Sequence, residues 1–134
     1  MSGAAIVRTL LAAHAPVTAL VPAAKIFAGL APQGTLAPAV SVHTIGDYEQ
    51  HDVRRQAKGL IRERVQVTVL AGNYVQMKAI LRAAALGPGV YNGTTAGFRV
   101  RSVLPAGGGP EIPPGDDKIF EQSRDFVVTF TEAN

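Results

Sequence analysis

The segment from Leu60 to Ala71 carries the most regular alternation of apolar and polar residues in the chain. A period of two is the pattern of a β-strand that buries one face and leaves the other polar. The apolar side consists of Ile61, Val65, Val67 and Val69, and the polar side of Arg62, Arg64, Gln66 and Thr68. Glu63 is the one polar residue on the apolar side, and we expect it near the open end of the strand. The segment therefore predicts a strand with one face against a core.

Apolar residues that recur every three or four positions predict two helices. The first starts at Ser2, a suitable cap, and has neighbouring apolar lines that begin at Ile6 and Val7 until Pro16 ends it. The second is capped by Asn73 and runs over 74–86, where a Gly-Pro-Gly segment follows. Its apolar face consists of Tyr74, Met77, Ile80, Leu81 and Ala84. Each helix thus has one face to bury.

Shorter or less regular strands flank these elements. We predict a brief strand over 25–28, another over 39–45, and a short turn of helix between Val17 and Val21. In a later strand, Phe98, Val100 and Leu104 alternate with Arg99, Arg101 and Val103. In the last strand, Phe120, Phe126, Val128 and Phe130 alternate with Glu121, Ser123, Asp125 and Thr129. Both patterns predict strands with their aromatic residues inside.

The order of these elements is helix, two or three strands, helix and two strands. It predicts an α+β fold, a mainly antiparallel sheet of four to five strands with two helices packed on one face. The length of 134 residues fits a single domain over 1–134. The polar segments 46–59 and 105–118 are predicted as loops that protrude as arms. The uncovered face of the sheet would carry Arg62, Arg64, Arg99, Arg101, Glu121 and Asp125.

Composition narrows the classes of protein. The chain has no Cys, which excludes disulfide scaffolds, Cys-based zinc sites, iron–sulfur clusters and thiol nucleophiles. A hydrophobic fraction of 47% excludes a disordered chain, whereas the charged fraction of 17% is below the usual quarter. The sequence has no run of about 18 apolar residues, so it predicts no membrane span. Arg8 interrupts the one apolar run near the start, so we expect no secretory leader and folding in the cytoplasm.

The sequence offers little catalytic chemistry. Acidic residues and histidines crowd together in one polar segment: His43, Asp47, Glu49, His51 and Asp52. They lack the short helical spacing that zinc ligands use, so a solvated loop is the simpler interpretation and a metal hydrolase using His43 and His51 the alternative. The glycine-rich run that starts at Gly107 lacks the Gly-Lys-Ser/Thr of a phosphate-binding loop. We therefore expect no enzyme, no cofactor and no metal.

Basic residues gather in one segment of a chain whose net charge is +3. Five of them lie within eleven residues: Arg54, Arg55, Lys58, Arg62 and Arg64. Arginine binds phosphate well, so a small non-specific DNA-binding module is one hypothesis. No base-stacking aromatic residue lies within this segment. The alternative is a solvated face or ion pairs between subunits.

Taken together, the elements resemble the small tail-completion, or tail-terminator, proteins of long-tailed bacteriophages, prophages and gene-transfer particles. The resemblance covers nearly the whole chain in element order. It rests on the helix over 6–13, the Pro-Gln-Gly segment 32–34, the Pro-Ala-Val-Ser-Val segment 38–42, the strand 64–69 leading through Ala71 to Tyr74, a helix with Ala79, Leu81, Ala84 and Leu86, and the Ser-Arg-Asp-Phe-Val-Val segment 123–128. The family carries no catalytic residues, so the resemblance implies none here.

The resemblance implies a virion assembly protein that forms a ring, usually hexameric, on the head-proximal end of the tail tube. Such a ring stops polymerisation of the tube protein and offers the surface that docks to the neck of the head. Implied partners are other copies of the chain, the tail tube protein, a neck or head-completion protein and passing double-stranded DNA, with assembly in the bacterial cytoplasm and no membrane contact. A head-side neck connector or stopper is the alternative within this class. The candidate subunit or DNA contacts are Arg54, Arg55, Lys58, Arg62, Arg64, Arg99, Arg101, Glu121 and Asp125.

Overall fold

The computed structural model describes residues 2–29, 36–50, 60–85, 93–95, 97–115 and 118–132. These residues form three α-helices: α1 (Ser2–Ala13), α2 (Ala15–Thr18) and α3 (Tyr74–Ala83). They also form six strands: β1 (Ile26–Ala28), β2 (Ala39–Gln50), β3 (Leu60–Ala71), β4 (Gly93–Thr95), β5 (Phe98–Gly108) and β6 (Phe120–Glu132). The predicted Pro-Gln-Gly turn and the Gly-Pro-Gly helix end lie outside the described residues.

The strands form a mixed, curled sheet in the order β1-β2-β3-β6-β5-β4. β1 and β2 run parallel, and every other neighbouring pair is antiparallel. The α+β class is confirmed, but the prediction of four to five antiparallel strands and two helices was wrong in detail. β1 agrees with the brief strand predicted over 25–28, and α2 begins before the helical turn predicted between Val17 and Val21. β4 was not predicted, because its three residues carry too few same-face positions to show a clear period.

The core lies between one face of the sheet and the helices, because α1 and α3 both pack against β3 and β6. The predicted inner face of β3 is confirmed, since Val65, Val67 and Val69 are fully buried. On β6 the inner residues are Phe126, Val128 and Phe130. The helices add Ile6, Val7, Leu11, Met77 and Ile80. Among the described residues, no helix is long and apolar enough to span a membrane.

The boundary between α1 and α2 depends on a proline. Pro16 lies in the first turn of α2, where its missing N–H costs no hydrogen bond, whereas it would break a continuing α1. His14 caps α2 with an extended backbone, and its carbonyl accepts from the N–H groups of Val17 and Thr18 at 3.0 and 3.1 Å. The predicted end of the first helix at this proline is confirmed.

The predicted cap of α3 is confirmed in atomic detail. The Asn73 side-chain oxygen accepts from the backbone N–H of Gln76 at 2.7 Å, and the Gln76 side chain accepts in turn from Gly72 N at 3.2 Å. The first bond satisfies one of the backbone donors that a helix start leaves open, and the second ties the residue before the cap to the first turn. The helix ends at Ala83, earlier than predicted. Tyr74, assigned to the apolar face, is 45% exposed and packs edge-on against Phe120 instead.

Two β-bulges account for the main errors in the strand predictions. In β5 the register shifts between Val100 and Ser102, and the extra residue reverses the alternation that follows. Val103 is therefore buried at 5% exposure and Leu104 is 41% exposed, the opposite of the sequence prediction. In β2 the shift between Thr44 and Gly46 allows the strand to continue to Gln50. The loop predicted over 46–59 was therefore wrong for its first five residues, and residues 51–59 are not described.

The predicted loop over 105–118 begins later than expected, because β5 extends to Gly108. An irregular pairing between Pro105 and Gly108 includes Gly107, whose φ of 98° lies in the left-handed region that favours glycine. The next residues, 109–115, are here named the strap. The strap follows β6, to which Gly109 N and Ile112 N donate at 2.9 Å. At least part of this segment is therefore tied to the sheet.

Candidate functional site

The face of the sheet opposite the helices, here named the polar face, carries most of the charged residues predicted from the sequence. Cross-strand partners share a face, and the register pairs Arg64 with Val127, Gln66 with Asp125, and Leu70 with Glu121. Arg62 pairs with Thr129 of the same face, and Arg99 pairs with Thr131. Arg101 lies in the bulge of β5 and is exposed. Arg54, Arg55 and Lys58 lie outside the described residues.

One ion pair on this face joins three strands. Asp125 Oδ2 accepts from Arg64 Nε at 2.9 Å and from Nη2 at 2.8 Å, which connects β3 to β6. Arg64 Nη2 also donates to the backbone carbonyl of Ala106 on β5 at 3.1 Å. The Asp125 side chain is 13% exposed, whereas that of Arg64 is 45% exposed. The carboxylate is thus largely buried, whereas the guanidinium group that pairs with it remains partly exposed to solvent.

The other cations of the polar face are less compensated. Arg62 is half-buried, and within the described ranges its Nε has no hydrogen-bond partner. Arg99 and Arg101 are exposed, and no hydrogen bond or ion pair joins either of them to another described residue. Two exposed guanidinium groups on β5 are therefore free to meet an anionic group from outside.

Neutral polar side chains fill the centre of the polar face. Ser41, Thr68 and Ser123 form one cross-strand row, in which the hydroxyls of Thr68 and Ser123 are 3.0 Å apart. His43, Gln66 and Asp125 form the next row. Except for Asp125, these residues border an open trough of about 540 Å³, together with Leu70, Glu121 and part of the strap. The trough contains no arrangement of nucleophile, base and oxyanion donors on the described side chains that would indicate catalysis.

The histidine and acid segment shows no metal site in the part of the chain that is described, where no group of three or more His, Asp or Glu side chains lies close enough to hold an ion. His43 lies on β2, and its Nδ1 is buried without a hydrogen-bond partner among the described residues. Asp47 and Glu49 are strand positions rather than loop positions. His51 and Asp52 lie outside the described ranges.

A contact that the sequence did not predict fixes the strap to α3. Glu111 Oε1 accepts from the Tyr74 hydroxyl at 2.8 Å and lies 2.6 Å from Lys78 Nζ. Lys78 also donates to Gln122 Oε1 at 2.7 Å, and its ammonium is 5.4 Å from the centre of the Tyr74 ring. Glu111 is more than thirty residues from both partners in the sequence, so no local pattern indicated the contact.

Mutual hydrogen bonding shifts the pKa values of all three groups. The hydrogen bonds from Lys78 and then Tyr74 lower the pKa of Glu111 below its ordinary value. The hydrogen bond to Glu111 is also the main cause that raises the pKa of Lys78 and the pKa of Tyr74. The charged forms of Glu111 and Lys78 are thus favoured at neutral pH, where the strap is held to α3.

We predict that the strap leaves α3 at both extremes of pH. A lowered carboxyl pKa means that the Glu111 contact is present above its ordinary value of 4.5 and is lost as the pH falls through a midpoint below 4.5. A raised amine pKa means that the Lys78 contact is present below 10.5 and is lost through a midpoint above 10.5. An NMR titration of the Ile112 methyl groups measures both midpoints. The Tyr74 ring is followed only on the acidic side, because its own hydroxyl ionises on the alkaline side.

The variant Glu111→Gln is the control for this titration. It removes the carboxylate and leaves the hydrogen-bonding oxygen, so the acidic transition of Ile112 should disappear. An acidic midpoint at or above 4.5 in the unaltered chain would contradict the assigned contact.

Comparison with known proteins identifies a family whose model matches this chain. The model of the family "Tail completion protein gp17" matches residues 5–86, which is more than half of the chain. No curated protein sequence matches. Among solved structures, a chain described as "Virion of native gene transfer agent (GTA) particle" is similar with a TM-score of 0.68 and 16% identity. The alignment covers 97% of this chain and 96% of that chain. At this identity the likeness is one of fold.

Proposed function

We propose that this chain, which belongs to the tail completion protein gp17 family, closes the head-proximal end of a phage-type tail tube as a ring. The resemblance to tail-completion proteins that the sequence indicated is confirmed by the family match, and with it a structural role in a phage-type tail. The family match is the observation that carries the proposal. The ring, its position and its docking function go beyond that match, and the surfaces of the molecule support them.

The two ends of the long strands present different chemistry. At one end, Val75 is 77% exposed, Ile112 is 46% exposed, and Tyr74 joins α3 to the strap through Glu111. At the other end β2 finishes and β3 begins. A ring of such chains with strands along its axis has one rim with these exposed apolar side chains, and its two rims are built from different segments of the chain.

Unlike rims supply a physical reason for tube growth to stop. A ring whose first rim complements the last ring of the tube binds there, and a different second rim gives the next tube subunit no matching surface. The second rim is then available to a neck protein. Termination in this account requires surface complementarity and no catalytic step.

A second candidate function, contact with double-stranded DNA, is favoured by Arg99 and Arg101. These exposed guanidinium groups have no described partner, and the polar face would line the lumen if the helices face outward. Fluorescence anisotropy with a DNA duplex at low and moderate salt tests this contact, because binding through phosphates weakens steeply with salt. Arg99→Gln with Arg101→Gln should weaken binding, whereas Arg82→Gln on α3 should not.

Deletion of the coding sequence from the phage or particle that encodes it, followed by electron microscopy, tests the proposed function. We expect tails of abnormal length and heads without attached tails, and restoration by the unaltered chain supplied in trans. Tails of normal length with tailless heads would instead indicate a neck connector. Normal particles would overturn the proposal.

A further inference from the structure

The sheet has two long outer strands that their short neighbours leave mostly uncovered. β1 pairs with β2 at residues 40–42, and β4 pairs with β5 at residues 98–100. Beyond these pairs, the outer sides of β2 over 43–50 and of β5 over 101–108 meet no strand among the described residues. An uncovered strand presents a row of backbone N–H and C=O groups that another strand can pair with.

The two uncovered edges run in opposite directions. β2 is antiparallel to β3, β3 to β6, and β6 to β5, so that β2 and β6 point one way and β3 and β5 the other. When copies are repeated around an axis parallel to the strands, the β2 edge of one copy comes beside the β5 edge of the next, and the two are antiparallel. Such a head-to-tail contact uses two different edges, and it closes into a ring when the rotation allows.

An exposed apolar side chain lies on each edge at the same level of the sheet. Gly46 pairs with Arg64, Arg64 with Val127, and Val127 with Leu104, so these residues form one row. Ile45, the extra residue of the β2 bulge, lies beside that row and is 44% exposed, while Leu104 is 41% exposed. Each uncovered edge thus exposes one apolar side chain, and the two lie at the level where the edges of neighbouring copies would meet.

We propose that β2 of one copy pairs antiparallel with β5 of the next copy, with Ile45 against Leu104. This pairing rests on the proposed function, since it describes how the ring closes. It covers both open edges with one kind of contact and takes both apolar side chains out of water. It also fixes the register, because shifting the pairing by two residues would separate the two side chains while leaving the faces matched. The polar face then continues from copy to copy.

Cysteine cross-linking in assembled particles tests this register, since the chain contains no Cys of its own. Directly opposed residues of antiparallel strands have Cβ atoms about 4.5–5.5 Å apart, close enough for a disulfide after slight adjustment. Particles carrying Ile45→Cys with Leu104→Cys are oxidised and separated by electrophoresis without reductant. We expect a ladder of covalent oligomers that ends at the ring, whereas each single variant stays monomeric because the contact is head-to-tail.

A matched control is Ile45→Cys with Ser102→Cys, which places the second thiol on the same face of the uncovered part of β5 but two β6 positions away. Cross-linking of this control in place of the Leu104 pair would overturn the proposed register. Assembled rings without cross-linking in either pair would overturn the edge contact and leave the proposed function standing. If the double variant does not assemble, a mixture of the two single variants in one particle should give covalent dimers, and their absence would count against the proposal. Normal particles after deletion would instead overturn the proposed function.

Discussion

Glu63→Ala is expected to lower the free energy of unfolding by about 3 kcal/mol, the combined effect of a lost charge-assisted hydrogen bond and a new cavity. Glu63 is 4% exposed on the core face of β3. Its two carboxylate oxygens lie 3.2 and 3.3 Å from the backbone nitrogen of Gly3, which donates to them, and Thr44 Oγ1 donates to Oε2 at 3.2 Å. The negative charge thus lies at the positive end of α1, where it is favoured.

Equilibrium unfolding in urea, followed by far-UV circular dichroism, measures this loss. Glu63→Gln is the matched control, because the amide retains an oxygen for the Gly3 N–H and removes the charge. We expect it to lose about half as much stability as Glu63→Ala. Equal unfolding midpoints for Glu63→Ala and the unaltered chain would show that the carboxylate does not hold α1.

The same contact makes Gly3 sensitive to a single methyl group. A Cβ there would lie 3.0 Å from Val65 Cγ2 and 3.1 Å from Glu63 Cβ. Alanine normally favours a helix over glycine by about 1 kcal/mol, but here Gly3→Ala should destabilise the protein because α1 must move away from β3. At Gly46 an added Cβ meets nothing within 4 Å, so Gly46→Ala is the comparison without a clash.

Sequence periodicity correctly predicted those features of the fold that depend on residues close together in the sequence. The inner residues of β3 and β6 and the cap at Asn73 were predicted correctly because each depends on neighbours within a few positions. Glu63 was singled out as a polar residue on an apolar face. The sequence did not predict that Glu63 binds the start of α1, because its partner Gly3 is sixty residues away in the sequence. It also lies under α1 rather than at an open strand end.

The errors have two physical sources. A bulge adds one residue to a strand without a strong composition signal, and one added residue exchanged the positions of Val103 and Leu104 between core and surface. The strap contact through Glu111 depends on tertiary structure that no spacing in the sequence records. At the candidate site, the sequence predicted which charges share the polar face. It did not predict that Arg64 is paired while Arg99 and Arg101 are free of described partners.

Arg64→Met is expected to lower the free energy of unfolding by about 2 kcal/mol, less than the full cost of breaking a buried pair because Arg64 is itself partly exposed. Methionine keeps the unbranched stem and removes the guanidinium, so the variant isolates the charge from the packing. Asp125 would then remain largely buried without its cation, and Oδ1 already has no hydrogen-bond partner among the described residues. Urea unfolding at low and high salt measures the loss.

The double variant Arg64→Met with Asp125→Leu distinguishes the cost of leaving the Asp125 carboxylate unpaired from the stability that the ion pair itself contributes. If most of the loss in Arg64→Met comes from the stranded carboxylate, the double variant should recover stability relative to that single variant. Arg99→Met, on the same face but without a described partner, should change stability by less than about 0.5 kcal/mol. A double variant as unstable as the sum of its single changes would show that Arg64 and Asp125 act independently. The ion pair would then have no part in joining β3, β6 and β5.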